Sequence, residues 1–444
     1  MQAAAMTGGV PASLAALVTR DFRETPLWLD GVDLARPATS LPAAVDVLVI
    51  GAGYTGASAA LVTAAAGRST CVIDAQDLGH GCSSRNGGQV ATSIKPALDA
   101  LASRYGAARA RAIQQEGIDA LEGLRSLVSR QRIDCDWIDT GRFVAACSPG
   151  HFDTLVRKAQ AQSRELRVPI EVVPRAEQRR EVATDRYHGG VVYPRHASVQ
   201  PAKLLLGLQA MAADAGASFV AHCAASSIER EKGGFRVNTS GGVIRAARVI
   251  IATNGYTGRF SPWHRRRIIP IRSNIIATEP LPPELLERLL PTRRHVVDTA
   301  RLVVYYRASP DGRRMVFGGR AALFDAPSAV SVPRLLAWLR RLFPELAEAR
   351  VSHSWSGSVA YTFDELPHIG CADGVYYSMG YCGSGVSLSV HFGRKIGLKA
   401  IDHPDGRSAL DDIAFQTRPL YTGHPWFLAP SILAYRMIDA LEMR

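Results

Sequence analysis

Apolar residues in the first fifth of the chain gather in short continuous runs, the pattern of strands buried on both faces of a parallel sheet. Val45, Val47, Leu48, Val49 and Ile50 form one such run, and Thr70 to Ile73 form a second. The small residues Ala57 to Ala66 between them predict a helix ended by Gly67. Further on, the period changes. Leu98, Leu101 and Tyr105, then Ile118, Leu121, Leu124 and Val128, recur at helical spacing and predict two helices within 98–130. Asp136 to Cys147 and Ile170 to Val173 read as strands around a helix from about His151 to Leu166. Pro201 to Ala215 reads as a helix with proline at its first position, followed by a strand from Ser218 to His222. Between Ile228 and Ile251, Gly233-Gly234 and Gly241-Gly242 break short strands into hairpins. Ile268 to Thr278, Arg301 to Ala308 and Arg314 to Gly319 predict an antiparallel sheet with a helix, Arg334 to Phe343, beside it. The strand Val375 to Met379 runs through a glycine-rich turn into a helical stretch, Ser387 to Ala400.

This order predicts an α/β protein: a Rossmann-type nucleotide-binding domain plus a substrate domain with a mixed or antiparallel sheet and flanking helices. The nucleotide-binding domain is expected to be discontinuous, over 41–95, 185–260 and 350–405, with 96–184 and 261–349 forming the substrate domain. Residues 1–40 are read as an extension and 406–444 as a C-terminal segment.

The first strand runs directly into Gly51, Gly53 and Gly56, the G-x-G-x-x-G spacing. Gly51 permits the tight turn, Gly53 lets backbone approach a pyrophosphate, and Gly56 lets the helix pack against the strand. A bare triplet of this kind also occurs as a structural turn. Here strand, helix and second strand surround it, and the second strand ends in Asp74, a carboxylate suited to ribose hydroxyls. An acid there disfavours a 2′-phosphate, so FAD or NAD fits better than NADP. The loop Gly79 to Gln89, rich in glycine and hydroxyls, has no use at an NAD site and suits the polar edge of a flat ring system. Its alternative reading is a flexible surface loop.

Composition narrows the class without naming a reaction. The 444 residues are 47% hydrophobic, enough for two to three domains, and no run approaches the length of a membrane span. The opening MQAAAMTGGVPASLAALV lacks the basic start of a secretory signal and reads as a frayed tail. Seven cysteines at irregular spacing, with no C-x-x-C pair, argue against a disulfide framework or zinc site and favour the cytoplasm. No metal is expected. The net charge of +12 raises the question of nucleic acid. The arginines are mostly dispersed, with Trp263 to Arg267 the densest cluster and no nucleic-acid-binding motif around them, so they read as a solvated basic face and no nucleic-acid partner is expected; a bias toward anionic substrates is the lesser alternative.

Motifs along most of the chain resemble the D-amino-acid oxidase superfamily of FAD enzymes, and within it the sequence is most similar to gamma-glutamylputrescine oxidase-like proteins and the glycine and sarcosine oxidases. The matching pieces include IGAGYTG (50–56), SSRNGGQ (83–89), EVATDRYHGG (181–190), ATNGYTG (252–258), VVYYR (303–307), FGGR (317–320), WSGSVAYTFDELPHIG (355–370) and YYSMGYCGSGVSLS (376–389). The resemblance implies that Gly51, Gly53, Gly56 and Asp74 hold the ADP half of FAD. Ser83, Ser84, Arg85, Asn86 and Gly87 would lie along the flavin, and Ala252, Thr253 and Asn254 near the pyrophosphate. Gly380, Gly383, Ser384, Gly385 and Val386 would close the site around the ring. Relatives often carry Gly-His-Gly where this chain has Gly383-Ser384-Gly385. Sarcosine oxidases tether the flavin to a cysteine that is missing near Val359 and Ala360, so noncovalent FAD is expected.

An enzyme of this kind takes a neutral amine or amino acid, moves a hydride equivalent to the flavin, and yields an imine that hydrolyses, with oxygen or another acceptor receiving the electrons. No catalytic side chain is assigned. Tyr305, Tyr306 and Trp355 are the expected pocket wall, with Arg307 and Arg320 as candidates for a substrate carboxylate. The alternatives are a dehydrogenase with a non-oxygen acceptor and a non-catalytic basic nucleotide-binding protein.

Overall fold

The computed structural model describes residues 14–33, 40–320 and 326–442. Two large sheets face each other across a cavity. The first is an 8-stranded sheet built on the parallel strands Ala44–Ile50, Thr70–Ile73, Ser218–Val220 and Val375–Met379, with the long strand Gly242–Ile251 pairing both Ala44–Ile50 and Val375–Met379. The ends of these strands nearest the cavity are buried on both faces: helices Tyr54–Ala65 and Gly385–Ala400 cover one side, with Pro201–Asp214 packed on Tyr54–Ala65, and Ile268, Ala360 and Phe415 join the core on the other. The hairpin Ala225–Glu231 and Gly234–Thr239 extends the sheet as the glycine pairs predict.

The second sheet has 9 strands in the spatial order Val18–Arg23, Val351–Tyr361, Ile269–Thr278, Met315–Gly319, Val304–Ala308, His295–Asp298, Arg142–Ala145, Gly190–Tyr193 and Glu171–Val173. The three strands expected from 268 to 319 are antiparallel neighbours in it. It is mixed overall, since Val18–Arg23 and His295–Asp298 each pair a neighbour in parallel. Helix Ser328–Leu342 covers its far face and contributes Leu335, Leu336 and Leu339 to a core with Phe143, Tyr306, Phe317 and Phe343.

Three parts differ from the sequence reading. The N-terminal extension is ordered where it is described: Leu14 and Val18, the end of the stretch read as a frayed tail, are buried, Val18–Arg23 adds a strand to the 9-stranded sheet, and Trp28 is buried to 1% exposure, while residues 1–13 of that stretch lie outside the described residues. The amphipathic signal of so short a strand is weak, and only a partner edge makes it form. Gly190–Tyr193 and Val351–Tyr361 also belong to this sheet, although 185–260 and 350–405 were assigned to the nucleotide-binding half. Finally, the C-terminal segment ends in a helix, Leu428–Glu442. Among the described residues, no helix is long and apolar enough to cross a membrane.

That last helix is pinned by a buried carboxylate. Asp439 accepts the Arg301 and Leu302 backbone N–H groups at 3.1 and 3.2 Å, and Glu442 pairs with Arg301. Beside it, Asp298 accepts from Val304 N at 3.0 Å and Ala300 N at 3.3 Å. Burial pushes the Asp298 carboxyl up to about 7 from its ordinary 3.8, against the pull of those backbone bonds. A raised value means that the folded state holds the proton more tightly, so this stabilisation is complete below about pH 4 and is lost as pH rises through about 7. Melting temperatures measured from pH 5 to pH 8 are predicted to fall less for Asp298→Asn than for the parent chain; parallel curves would remove Asp298 as the source.

Candidate active site

The cavity between the sheets has a volume of about 1440 Å3, above the usual range for a small-molecule site and roomy enough for an extended cofactor with a second ligand. Its floor is the turn after the first strand. Gly51 sits at φ +108°, and a side chain there would meet the Ala252 carbonyl at 2.9 Å. A Cβ at Gly56 would lie 1.8 Å from the Gly51 carbonyl oxygen, so only glycine lets helix Tyr54–Ala65 start this close to the strand. Gly51 and Gly53 line the cavity, whereas Gly56 shapes it from behind. Asp74 lines it at the end of the second strand, its carboxylate accepting from Ala52 N at 2.9 Å and Gln76 N at 3.1 Å. Burial pushes the Asp74 carboxyl up, while those bonds oppose the shift. Ala252, Thr253 and Asn254 line the same end.

The loop from Gly79 to Gln89 forms one wall. Ser83, Arg85, Asn86 and Gly87 face the cavity, and Ser83 Oγ accepts from Tyr54 N at 2.9 Å, joining the loop to the helix start. Ser84 does not face it: fully buried, its hydroxyl donates to the carbonyls of Gly79 and Gly81 and holds the loop's own turn. Two indoles from outside the loop take the next carbonyls. Trp28 Nε1 donates to Asn86 O at 2.7 Å and Trp355 Nε1 to Arg85 O at 2.9 Å, the rings packed edge to face at 6.0 Å. Opposite, Gly383, Ser384, Gly385 and Val386 line the cavity at the start of helix Gly385–Ala400. Gly380 stays outside the lining and donates its N–H to Asn254 Oδ1 at 2.9 Å.

The substrate-side expectations divide. Tyr305 lines the cavity, slotted between Gly87 and Gly318, where added Cβ atoms would meet its ring at 3.0 and 2.3 Å. Strand alternation sends Tyr306 to the other face, where it stacks on Phe317 in the core. Arg307 shares the face of Tyr305 but is buried to 2% exposure, and its guanidinium donates to the carbonyls of Gly88 at 3.1 Å, Val199 at 2.9 Å and Ala308 at 3.0 Å. It is therefore a structural tie rather than a carboxylate clamp. Trp355 likewise is spent on the loop and leaves the pocket wall.

Arg320 does line the cavity, and among the described residues its buried Nε has no hydrogen-bond partner. Burial lowers its pKa to about 10, so it stays charged at neutral pH. The sequence reading missed several neighbours. Lys95 lies 4.9 Å above the Tyr361 ring; burial works against its charge, but Tyr361, Glu365 and Cys382 together hold its pKa above the ordinary value. Leu428, Ser431, Ile432 and Tyr435 of the last helix, with Phe427 just before it, close the cavity on this side. Tyr361 lies inside the motif at 355–370 and Lys95 shortly after the one at 83–89, so both were findable there; the last helix carries no signal linking it to the site. Among the lining residues, seven cations (Arg85, Lys95, Arg142, Arg259, Arg272, Arg301 and Arg320) stand against two carboxylates, Asp74 and Glu365.

Residues 46–397 match the FAD dependent oxidoreductase (DAO) family. The chain is 32% identical over 354 residues to gamma-glutamylputrescine oxidoreductase of Escherichia coli (strain K12), covering 79% of this chain and 82% of that protein. Its fold is similar to glycine oxidase from Geobacillus kaustophilus, with a TM-score of 0.70 at 21% identity over 85% of this chain and 99% of the other. L-proline dehydrogenase from P. horikoshii superposes with a TM-score of 0.69 at 18% identity, over 88% and 99% of the two chains.

The floor geometry is open to a direct check. Gly56→Ala is predicted to destabilise the chain by at least about 2 kcal/mol, because the clash is with rigid backbone. It should also lower the FAD content of the purified protein, read from absorbance per chain. An alanine variant with unchanged melting temperature and full flavin content would contradict the close helix approach.

Proposed function

This chain belongs to the DAO family of FAD-dependent oxidoreductases, and we propose that it oxidises the C–N bond of a carboxylate-bearing amine or amino acid, with noncovalent FAD and oxygen as acceptor. The observation that carries this reading is the continuity of one cavity from the dinucleotide floor at Gly51 and Gly53 to a charged Arg320 on the opposite sheet, whose Nε has no hydrogen-bond partner among the described residues. The amine class is supported by the 32% identity to gamma-glutamylputrescine oxidoreductase.

The residues present fit FAD. Gly51 and Gly53 leave room for a pyrophosphate at a helix start, and Asp74 is held ready for ribose hydroxyls. The backbone of Ser83, Arg85, Asn86 and Gly87 offers polar groups to one edge of a flat ring, and Gly383 to Val386 meet it from the other side. When bound, FAD supplies acceptance of a hydride equivalent from the carbon beside the substrate nitrogen and delivery of the electrons to oxygen as hydrogen peroxide. The protein's part is to place that carbon and keep the nitrogen neutral. Arg320 anchors the substrate carboxylate, Tyr305 supplies an aromatic wall, and the last helix excludes water. A cavity so rich in cations also disfavours an ammonium and helps the amine shed its proton. Cys82 and Cys382 line the cavity, but burial pushes both thiols up to about 11, so neither is a thiolate poised to attack a ring. This supports noncovalent binding, and seven free thiols support a reducing cytoplasm.

The test is an anaerobic titration of the yellow protein with amines, N-methyl amino acids and gamma-glutamylated polyamines, followed by a peroxide assay in air. Bleaching of the flavin band with peroxide formation is expected. Bleaching without peroxide would favour a dehydrogenase, and no bleaching by any of them would overturn the reading. With the substrate in hand, Arg320→Met is predicted to raise KM by about thirtyfold, or about 2 kcal/mol, and an unchanged KM would remove Arg320 from the site. Acid denaturation should release the flavin; colour retained on the precipitate would contradict noncovalent attachment.

A further inference from the structure

Besides Arg320, the cavity wall holds a second cation, Arg142, with no carboxylate partner among the described residues. Arg142 opens the strand Arg142–Ala145, three strands across the sheet from Met315–Gly319, which runs into Arg320. The two strands lie about 14 Å apart across the sheet, and the register sets Arg142 level with Val316, a further ~13 Å along the strand direction from Arg320. The Arg142 guanidinium lies 5.3 Å over the Tyr193 ring, and Nη2 donates to Ser93 Oγ at 3.3 Å. Arg142 Nε is buried with no hydrogen-bond partner, and no carboxylate pairs with the side chain among the described residues. Burial works against its charge, with only Tyr193 in opposition.

The surroundings are neutral and donor-rich. Gln89, which also lines the cavity, has a buried Nε2 with no partner. Gln89 pairs with Ser198, whose Oγ bonds His295 Nδ1 at 3.1 Å, and His295 sits in register beside Arg142 on the next strand. His196 Nε2 accepts from Thr92 N at 3.4 Å, which leaves the ring proton on Nδ1, and that atom is unpaired too. Burial first, then the Arg142 charge, holds both imidazoles well below their ordinary pKa, so neither adds charge at neutral pH. An isolated buried cation is costly, and a carboxylate that meets it with two parallel hydrogen bonds offsets that cost. A wall that offers a guanidinium, an amide N–H and a hydroxyl, and no competing acid, is built for an anion.

We propose that Arg142, with Gln89 and Ser93, forms a second anion subsite of the cavity that takes a carboxylate of the substrate, so that a two-carboxylate amine spans from Arg320 to Arg142. The inference builds on the amine-oxidase reading but is read out separately, by binding. The FAD-loaded protein is titrated with succinate, glutarate and adipate and with monocarboxylates of equal chain length, following the flavin difference spectrum and the melting temperature. At least one dicarboxylate is expected to bind about tenfold tighter than its monocarboxylate partner, the worth of one charge-assisted contact. Arg142→Met should abolish that preference and Arg142→Lys retain part of it, whereas Arg320→Met should weaken both ligand classes. Absence of a preference in the parent protein, or a preference that survives Arg142→Met with the flavin spectrum intact, overturns the subsite. If Arg142→Met does not fold, Gln89→Leu decides: a reduced preference supports the subsite and an unchanged one overturns it. A dicarboxylate preference lost in Arg142→Met in a protein that oxidises no amine would keep the subsite and discard the amine-oxidase reading.

Discussion

The geometry of the cavity depends on how one loop is held. Gly79 to Gln89 leaves the nucleotide-binding sheet, and its consecutive carbonyls at Arg85 and Asn86 are taken by the indole N–H groups of Trp355 and Trp28. Both tryptophans come from the far side of the seam, one from the 9-stranded sheet and one from the N-terminal segment that adds a strand to it. Buried carbonyls cannot be left unpaired without cost, so the two donors fix where the loop lies relative to both sheets. Asn86 completes the arrangement, its side-chain amide donating to the carbonyls of Cys82 and Ser83 and its Oδ1 accepting from Gly88 N. Arg307 ties down the neighbouring carbonyl of Gly88 from below. A loop rich in glycine and serine thus becomes a rigid wall.

The second organising feature is charge turned inward. A net charge of +12 suggests a surface property, yet seven cations line the cavity against two carboxylates. A cofactor carrying a pyrophosphate accounts for part of this surplus. Arg85 and Arg272 neighbour Tyr256 and Cys82 near the nucleotide floor, and Arg301 is neutralised by Asp439 and Glu442 of the last helix. Arg320 and Arg142 have no carboxylate partner among the described residues. Elsewhere the chain pairs its buried charges carefully: Glu116 accepts from His391, Lys395, Ser408 and Ala409, and its carboxyl is held down at about 2 despite burial. Arg142 and Arg320 depart from that habit, each with a buried Nε that has no hydrogen-bond partner among the described residues.

How far the site was readable follows the range of the forces involved. The G-x-G-x-x-G turn, Asp74 and the strands around them are local, since a glycine's freedom and a strand's apolar run depend on neighbours in sequence. Tyr305 and Arg320 were also legible through their motifs. Tyr306, Arg307 and Trp355 were not, although they stand in the same motifs. Alternation could have sent Tyr306 to the opposite face from Tyr305, but which face is the cavity depends on what packs against it. Arg307 and Trp355 look like pocket residues by type; their fate was decided by carbonyls from loops more than 100 residues away.

By itself, then, the sequence determined the parallel nucleotide-binding unit, the cofactor class and the family, because backbone conformation at glycines and the periodicity of burial are short-range. Tertiary structure alone decided that the N-terminal segment is a strand and a clamp, that the last helix closes the cavity, and which arginines are tied to carbonyls or acids and which are left charged and unpaired. The physical reason is that an unsatisfied donor is defined by everything that fails to reach it, and that requires the whole fold.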